Sequence, residues 1–510
     1  MTTADSYRRR EYEFGPRETG GILLGLGMGS ILTLFGGMFL LVRLLVYGWW
    51  GLSAGLVVMA AAVAAVWVPI GDRALGEWAR VGVMYGIRAR LGWTQYRGGP
   101  AADTSRTPPE PAHDGLEPLE LPGELAGIAV LSVATPAGTV GVIKDRRRHS
   151  YTAIIATRGT AFQLLTVQDQ DQRLAMWGEL LSSIAYSGGG IVRLQVIDTT
   201  VPDSGDRLVR QWAAHGGGGT QASAASYEQL LDLARPVTLR HETHLAVMLD
   251  PRRVRRQIRH LGGGDEGACT YLLQRCAQIE EALANTGVTA EGALPPRAIH
   301  KLLRSAYEPG ARWKLDTRGT DYSAEGAGGA SAAEAGPMAA HATWPYYRTD
   351  DTYHAIFWVS EWPRKRVFGD FLQGLILETR CTRTVSVVMQ PLNPRRAADE
   401  VARADTAKGA NEAVAARYGF RRSARDRRES ATLTRQDEEL ASGHALYRFI
   451  GLVRISAATP ELLDQACGEI ETRATMLQLR RLYGEQDVAF PATLPLCRGL
   501  RWGLLRDAAS

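Results

Sequence analysis

The 510-residue sequence predicts an α+β chain: an N-terminal transmembrane helical hairpin followed by a duplicated ferredoxin-like (split βαβ) cytoplasmic region. Three observations predict it. Two long uncharged runs lie near the N-terminus. The motif SYTAIIAT at 150–157 returns as TYHAIFWV at 352–359. Each half reads strand, helix, strand, an irregular helical insert, then strand and helix, the motif being its opening strand.

Residues 1–20 form a cytoplasmic N-terminus. Thr19 to Val42 carries no charge, nor does Leu44 to Gly71, and only Arg43 separates them. Each run exceeds the roughly 20 apolar residues that cross a bilayer core. The hairpin is therefore placed at 21–70, with helices at about 21–42 and 51–70. Two spans back to back, with no A-x-A site after the first, argue against a cleaved signal peptide. Arg8, Arg9, Arg10 and Arg17 precede the hairpin, and Arg73, Arg80, Arg88 and Arg90 follow it. Both termini are expected on the cytoplasmic side of the cell membrane. Gly21, Gly25 and Gly29 recur at intervals of four on one helical face. They are expected to pack the hairpin on itself, with a homo-oligomer contact as the alternative. GLSAG at 51–55 matches a serine-hydrolase elbow, but that elbow needs a preceding strand and an aqueous pocket.

Residues 71–96 mix Arg with Trp78, Val81 and Tyr85 at helical spacing. They predict a membrane-proximal helix, either on the inner membrane surface or in the cytoplasm. The Pro- and Gly-rich stretch 97–123 reads as a linker. The first half, 124–308, opens with strand signals that include AFQLLT at 161–166. Leu174, Trp177, Leu180, Leu181 and Ile184 then give one helical stripe. A strand at 191–198, a helix around 227–234, a strand at 243–249 and helices at 251–260 and 268–284 follow. A flexible linker is placed at 309–340 and the second half at 341–510. In the second half, LYRFIGLVRIS at 446–456 is matched to THLAVML at 243–249. Thr459 is the expected N-cap and Pro460 the first residue of a helix whose stripe is Leu463, Ala466, Ile470, Ala474 and Leu477.

No catalytic, cofactor or metal residue is expected. The sequence contains no Gly-Lys pair, which a Walker A loop requires, and no H-E-x-x-H. His241 and His244 are three apart in a strand and point to opposite faces. Five cysteines without a C-x-x-C pair indicate a reducing compartment. Of 59 basic side chains 54 are Arg, so an Arg cluster is first read as a solvated face. Two clusters still stand out as candidate partner contacts: Arg252, Arg253, Arg255, Arg256 and Arg259 on one helix, and Arg421, Arg422 and Arg425 on another segment. Direct nucleic-acid binding is not expected, because aromatics are not interleaved with these arginines.

The segment 435–496, with Gly443, His444, Tyr447, Phe490, Leu494 and Pro495, resembles the end of the N-terminal domain of conjugative type IV secretion ATPases, the TrbE/CagE/TraC group. There it leads into the motor domain. The whole layout resembles actinobacterial two-span integral membrane proteins, and TVGVIKDRRRHSYTAIIATRG at 139–159 is similar to EccE of type VII secretion. The resemblance implies a non-enzymatic membrane component of a secretion or conjugation apparatus. Its implied partners are the lipid bilayer, a separately encoded motor ATPase and other subunits of the apparatus. The alternative is an enzyme or nucleotide-binding regulator with a pocket between the repeats.

Overall fold

The uncharged run folds as two helices that turn back on each other. A computed structural model describes residues 9–14, 28–71, 73–98, 119–159, 162–202, 212, 220–234, 239–319, 321–322, 328–363, 365–377, 381–394, 396–403, 406, 409 and 424–500. Two compact units emerge: Gly15–Thr94 with Tyr483–Glu485, and Met1–Phe14 with Gln95–Leu482 and Gln486–Ser510.

In the smaller unit, α1 (Met28–Leu44) and α2 (Gly48–Trp67) pack side by side, joined by the single 3-10 turn Leu45–Tyr47. The stretch Ile31–Trp67 is long and apolar enough to cross a membrane. Close approach depends on small residues. A Cβ on Gly51 would lie 1.8 Å from the Leu44 carbonyl oxygen, and one on Gly37 would lie 2.8 Å from Ala62 Cβ. The described helix contact therefore runs through Gly37, Gly51, Gly55 and Ala62. Gly21 and Gly25 lie outside the described residues, and Gly29 lies in α1. After α2 the chain reverses through a two-residue hairpin, Pro69–Ile70 with Arg73–Ala74, into α3 (Leu75–Arg90).

The larger unit is built on a 13-stranded sheet. In chain order its strands are β1 (Gln95–Arg97), β2 (Ile128–Thr135), β3 (Gly138–Asp145), β4 (Ser150–Gly159), β5 (Ile191–Pro202), β6 (Leu239–Leu249), β7 (Val288–Ala293), β8 (Ala339–Ala342), β9 (Tyr347–Thr349), β10 (Thr352–Glu361), β11 (Thr382–Pro391), β12 (Tyr447–Ala457) and β13 (Gln478–Arg481). They lie in the order β1-β8-β9-β10-β12-β11-β5-β6-β4-β3-β2, with β7 on β4 and β13 on β10. Every pairing is antiparallel.

Strands from 124–308 and 341–510 thus share one sheet, and the two regions are not separate bodies. The seam is β5 against β11, paired from Leu194↔Met389 to Thr200↔Arg383. On one side of the seam the order is β7-β4-β6-β5, and on the other it is β13-β10-β12-β11. β3 pairs with the first residues of β4, and β9 pairs with the first residues of β10. Tyr151 faces Leu249 across β4–β6, and Tyr353 faces Ala457 across β10–β12. The counterpart of Leu249 is therefore Ala457. Matching 243–249 to the start of 446–456 slides the register, because the insert before β12 is longer.

Alternation along the strands fills both faces. On one face, Leu180 and Ile184 of α4 (Val167–Tyr186) pack with Tyr151, Ala153 and Ile155 and with Leu272, Cys276 and Ile279. The last three belong to a longer helix, Gly264–Asn285. Also on this face, Leu463, Ala466 and Ile470 of the helix Pro460–Arg473 cover Ala355, Phe357 and Val453. Thr459 caps that helix by accepting from Leu462 N at 3.3 Å. The expected strand at 161–166 is instead a 3-10 turn, Phe162–Leu164, leading into α4. Thr166 accepts from Asp169 N and starts the helix there.

The opposite face is covered by the amphipathic helix Pro296–Tyr307, by 119–125 and by the segment Gln486–Leu500. Read from sequence alone, this last segment is a lead-in. In the structure it is a strap across the seam, buried along its length. Phe490 stacks on Tyr307 at 5.0 Å and meets Tyr347 at 5.2 Å edge-on. The described part of the expected linker 309–340 is also folded: Arg312–Thr317 is helical, and Ala330 and Ala335 are fully buried. At 97–123, Leu119 and Leu121 belong to the core.

Truncating a fully buried aromatic leaves a cavity worth about 3–5 kcal/mol. Phe490→Ala should therefore lower the unfolding free energy of the full chain in detergent by that order, measured by chemical denaturation. A change below about 1 kcal/mol would show that the strap is not part of the cooperative core.

Candidate functional site

The arginines of 252–259 do not share one helix. Pro251–Val254 is a 3-10 turn, and Arg255–His260 is a short α-helix. Asp250 caps the turn by accepting from Arg252 N at 3.0 Å, with Pro251 at its first position. Val254 and Ile258 are buried and anchor the segment. That leaves Arg252, Arg253, Arg255, Arg256 and Arg259 all exposed. Gly267 permits this docking: a Cβ there would lie 2.4 Å from the Ile258 carbonyl oxygen.

A second arginine run joins them. Asp145 Oδ1 accepts from the backbone N–H groups of Arg147 and Arg148, which folds the β3–β4 tip over it. Because Tyr151 pairs with Leu249, this tip lies beside Asp250 and Arg252. Arg252 donates to the Arg148 carbonyl oxygen at 3.4 Å. Arg146, Arg147 and Arg148 thus extend the surface. Carboxylates approach it at its edge: Asp250 lies 3.9 and 4.0 Å from Arg252 and Arg253, and Asp145 and Glu124 lie 3.8 and 3.9 Å from Arg148. Arg255, Arg256 and Arg259 make no ion pair among the described residues. Such a surface binds acidic groups through planar, forked guanidinium donors, and salt screens it. The composition shows both runs; only the β4–β6 pairing brings them together.

Of the second cluster, Arg421 and Arg422 lie outside the described residues. Arg425 lies on the helix Ala424–Ala441. Residues 9–14 of the N-terminal segment are built into the sheet unit. Tyr12 bridges to Val367, Phe14 stacks on Trp362 at 5.2 Å, and Arg9 pairs with Asp370 at 3.0 Å. An open cleft of about 700 Å³ lies between this arm and α4. Its arginines are offset by acids: Arg366 pairs with Glu11 at 3.3 Å, and Arg435 lies 3.6 Å from Glu13.

Other groups with chemical potential are held for packing. Among the described residues, no three His, Cys, Asp or Glu converge as metal ligands. The thiols are kept protonated by burial: Cys381 is pushed up to about 11, Cys269 and Cys467 to about 12, and Cys276 and Cys497 beyond that. His241 and His244 face opposite ways, as their spacing requires. His241 Nδ1 lies 3.1 Å from Thr200 Oγ1, while His244 is buried. His354 sits 2.8 Å from Ser456 Oγ and 2.7 Å from Thr349 Oγ1, a geometry that in an open pocket would suit a nucleophile and base. Here His354 is fully buried. No protein-family model matches the chain, and no curated protein matches it.

Burial holds His354 well below the ordinary value of 6.5, with the Arg454 guanidinium as the second cause. Burial also lowers His244 and His300. The unfolded chain binds protons at these residues below about pH 6.5 and the folded chain does not. Their contribution is present above that pH and is lost as pH falls. The thermal midpoint should drop between pH 7 and pH 5, and His354→Gln should flatten that dependence. An unchanged slope would remove His354 as a source.

Proposed function

We propose that this chain is a non-enzymatic membrane component of a secretion or conjugative transfer apparatus that docks a separately encoded motor ATPase. The observation that carries the reading is the surface on which Arg147, Arg252, Arg253, Arg255, Arg256 and Arg259 stand exposed, held by the buried anchors Val254 and Ile258, with half-buried Arg146 and Arg148 beside them. A surface of this kind steers an acidic partner and fixes its orientation. The sequence has no Gly-Lys pair with which to hold nucleotide phosphates, so it holds a motor and does not act as one. The alternative, an enzyme or nucleotide-binding regulator, would use the open cleft of about 700 Å³ that Gln168, Asp171 and Gln172 of the first half line together with Arg366 and Arg435 of the second. At the seam itself β5 and β11 are paired from Leu194↔Met389 to Thr200↔Arg383, and the strap reaches the seam on one face.

The fold reading follows the same line. Each half is a ferredoxin-like unit: four antiparallel strands in the order fourth, first, third, second, derived from one another by duplication. The repeated orders β7-β4-β6-β5 and β13-β10-β12-β11 support it. So does the extra strand that pairs beside the first strand in each half.

The hairpin spans the membrane twice, with both ends cytoplasmic. Residues 9–14 and 95–97 belong to the same compact unit, which supports an even number of crossings between them. The 20 residues of α2 extend about 30 Å, the thickness of a bilayer core.

Two experiments test these readings. The motor should co-purify with the full chain at low salt. Arg252→Glu, Arg253→Glu, Arg255→Glu and Arg256→Glu together should release it while the protein stays in the membrane. Retention of the motor would move the contact elsewhere, and ATP hydrolysis by the purified chain would end the scaffold reading. For topology, Tyr47→Cys, 74% exposed in the hairpin turn, should label with an impermeant thiol reagent in intact cells, whereas Leu164→Cys, 88% exposed, should not. The reverse pattern would invert the protein.

A further inference from the structure

Helix α3 presents two apolar faces, and only one is covered. Inward, Val81 and Arg88 are buried. Arg88 donates to the Gly484 carbonyl oxygen, Arg73 pairs with Glu485 at 3.3 Å, and Trp78 lies 6.2 Å from the Tyr483 ring. Outward, Val83, Met84, Ile87 and Leu91 fall within an arc of about 100° at helical spacing. With Trp93 just beyond the helix, these side chains are 46–63% exposed. Arg80 and Arg90 are exposed on the same side and make no ion pair among the described residues.

The position of α3 says what covers this face. The chain leaves α2 at Trp67 and reverses within seven residues into α3 at Leu75. A Cβ on Gly76 would lie 2.9 Å from the Ala65 carbonyl oxygen, so α3 starts against the last turn of α2. α1 and α2 themselves expose Phe35, Phe39, Leu56 and Val57. The apolar outer face of α3 continues the apolar surface of the hairpin within one unit.

We propose that the outer face of α3 lies in the bilayer interface. Ile87, Val83, Met84 and Leu91 reach the acyl boundary, Trp93 sits at headgroup level, and Arg80 and Arg90 extend to anionic lipid phosphates. The proposal rests on the reading that the hairpin spans the membrane. It makes α3 a lipid-contacting element that fixes the height of the unit at the membrane surface.

Spin labels on the full chain, reconstituted in phosphatidylcholine with phosphatidylglycerol, test it. Labels go on Ile87→Cys, on Ala89→Cys on the opposite side of α3, and on Val57→Cys in α2. The signal of the unsubstituted protein, carrying its native cysteines, is subtracted. The Val57 label should favour oxygen over a water-soluble nickel chelate. The Ile87 label should do so at a shallower depth, and the Ala89 label should favour nickel. If Ile87 matches Ala89 while Val57 remains in lipid, the α3 proposal alone is overturned. If Val57 is also open to nickel, the spanning reading fails and takes this one with it. Protection of Ile87 from both reagents would put protein, not lipid, on this face and overturn the proposal.

Discussion

The side chain of Gln195 holds the place on which the rest of the sheet depends. It lies on β5 at the seam, fully buried, and donates to Ser386 Oγ of β11 at 2.8 Å and to the Ala492 carbonyl oxygen at 3.0 Å. Its own oxygen accepts from Cys497 N at 2.6 Å. The seam face is lined with polar residues where a sheet core is ordinarily apolar. A buried polar group without a partner costs about 1–3 kcal/mol. The strap 486–500 supplies the partners. Ser386 donates to Ala492, Ile356 N donates to Gln486 Oε1, and Arg454 donates to Thr493 and Thr384. These bonds tie the strap to β5, β10, β11 and β12, and Arg454 also links β12 to β11, so the two halves and the strap form one polar network.

Arginine plays two opposite parts in this chain. Arg454 is buried against the Phe490 ring, with its guanidinium carbon 5.0 Å from the centroid, and burial lowers its pKa to about 10. Arg498 reaches Asp145 from beneath, while Arg147 and Arg148 fold over the same carboxylate from outside. Asp145 thus ties the strap to the exposed arginine surface. One carboxylate holds a core contact and shapes the exposed arginine tip, because its two oxygens accept from both sides. The arginines of 252–259 stay exposed to water, where their charge carries no desolvation penalty.

The membrane-proximal unit shows the same division between covered and open faces. Its helices meet where glycine removes the Cβ, and its large apolar side chains point away from that contact. Close backbone approach at these small residues lets the two helices pack side by side. The glycines expected to do this by spacing were the earlier set of Gly21, Gly25 and Gly29. The contact seen runs through Gly37 with Ala62, Gly51 with Leu44 and Gly55 with Leu41. The turn at 45–47 sets the register of this contact, and Gly21 and Gly25 lie outside the described residues.

By itself the sequence determined the elements whose cause is local. Apolar composition, broken only by Arg43, marks 31–67 as a membrane candidate. Thr459 and Pro460 start a helix, and period-two patterns give β4, β6, β10 and β12. The repeated motif at 150 and 352 was legible because both strands carry the same alternation in the same kind of sheet position. The arginine runs were legible as composition. Only the tertiary structure decided what depends on distant pairing. It merged the two halves into one sheet through β5 and β11, brought Arg148 beside Arg252, and turned the apparent lead-in at 486–496 into the strap. The physical reason is that strand partners and buried hydrogen bonds join residues hundreds of positions apart. Gln195 cannot announce in sequence that its partners are Ser386, Ala492 and Cys497.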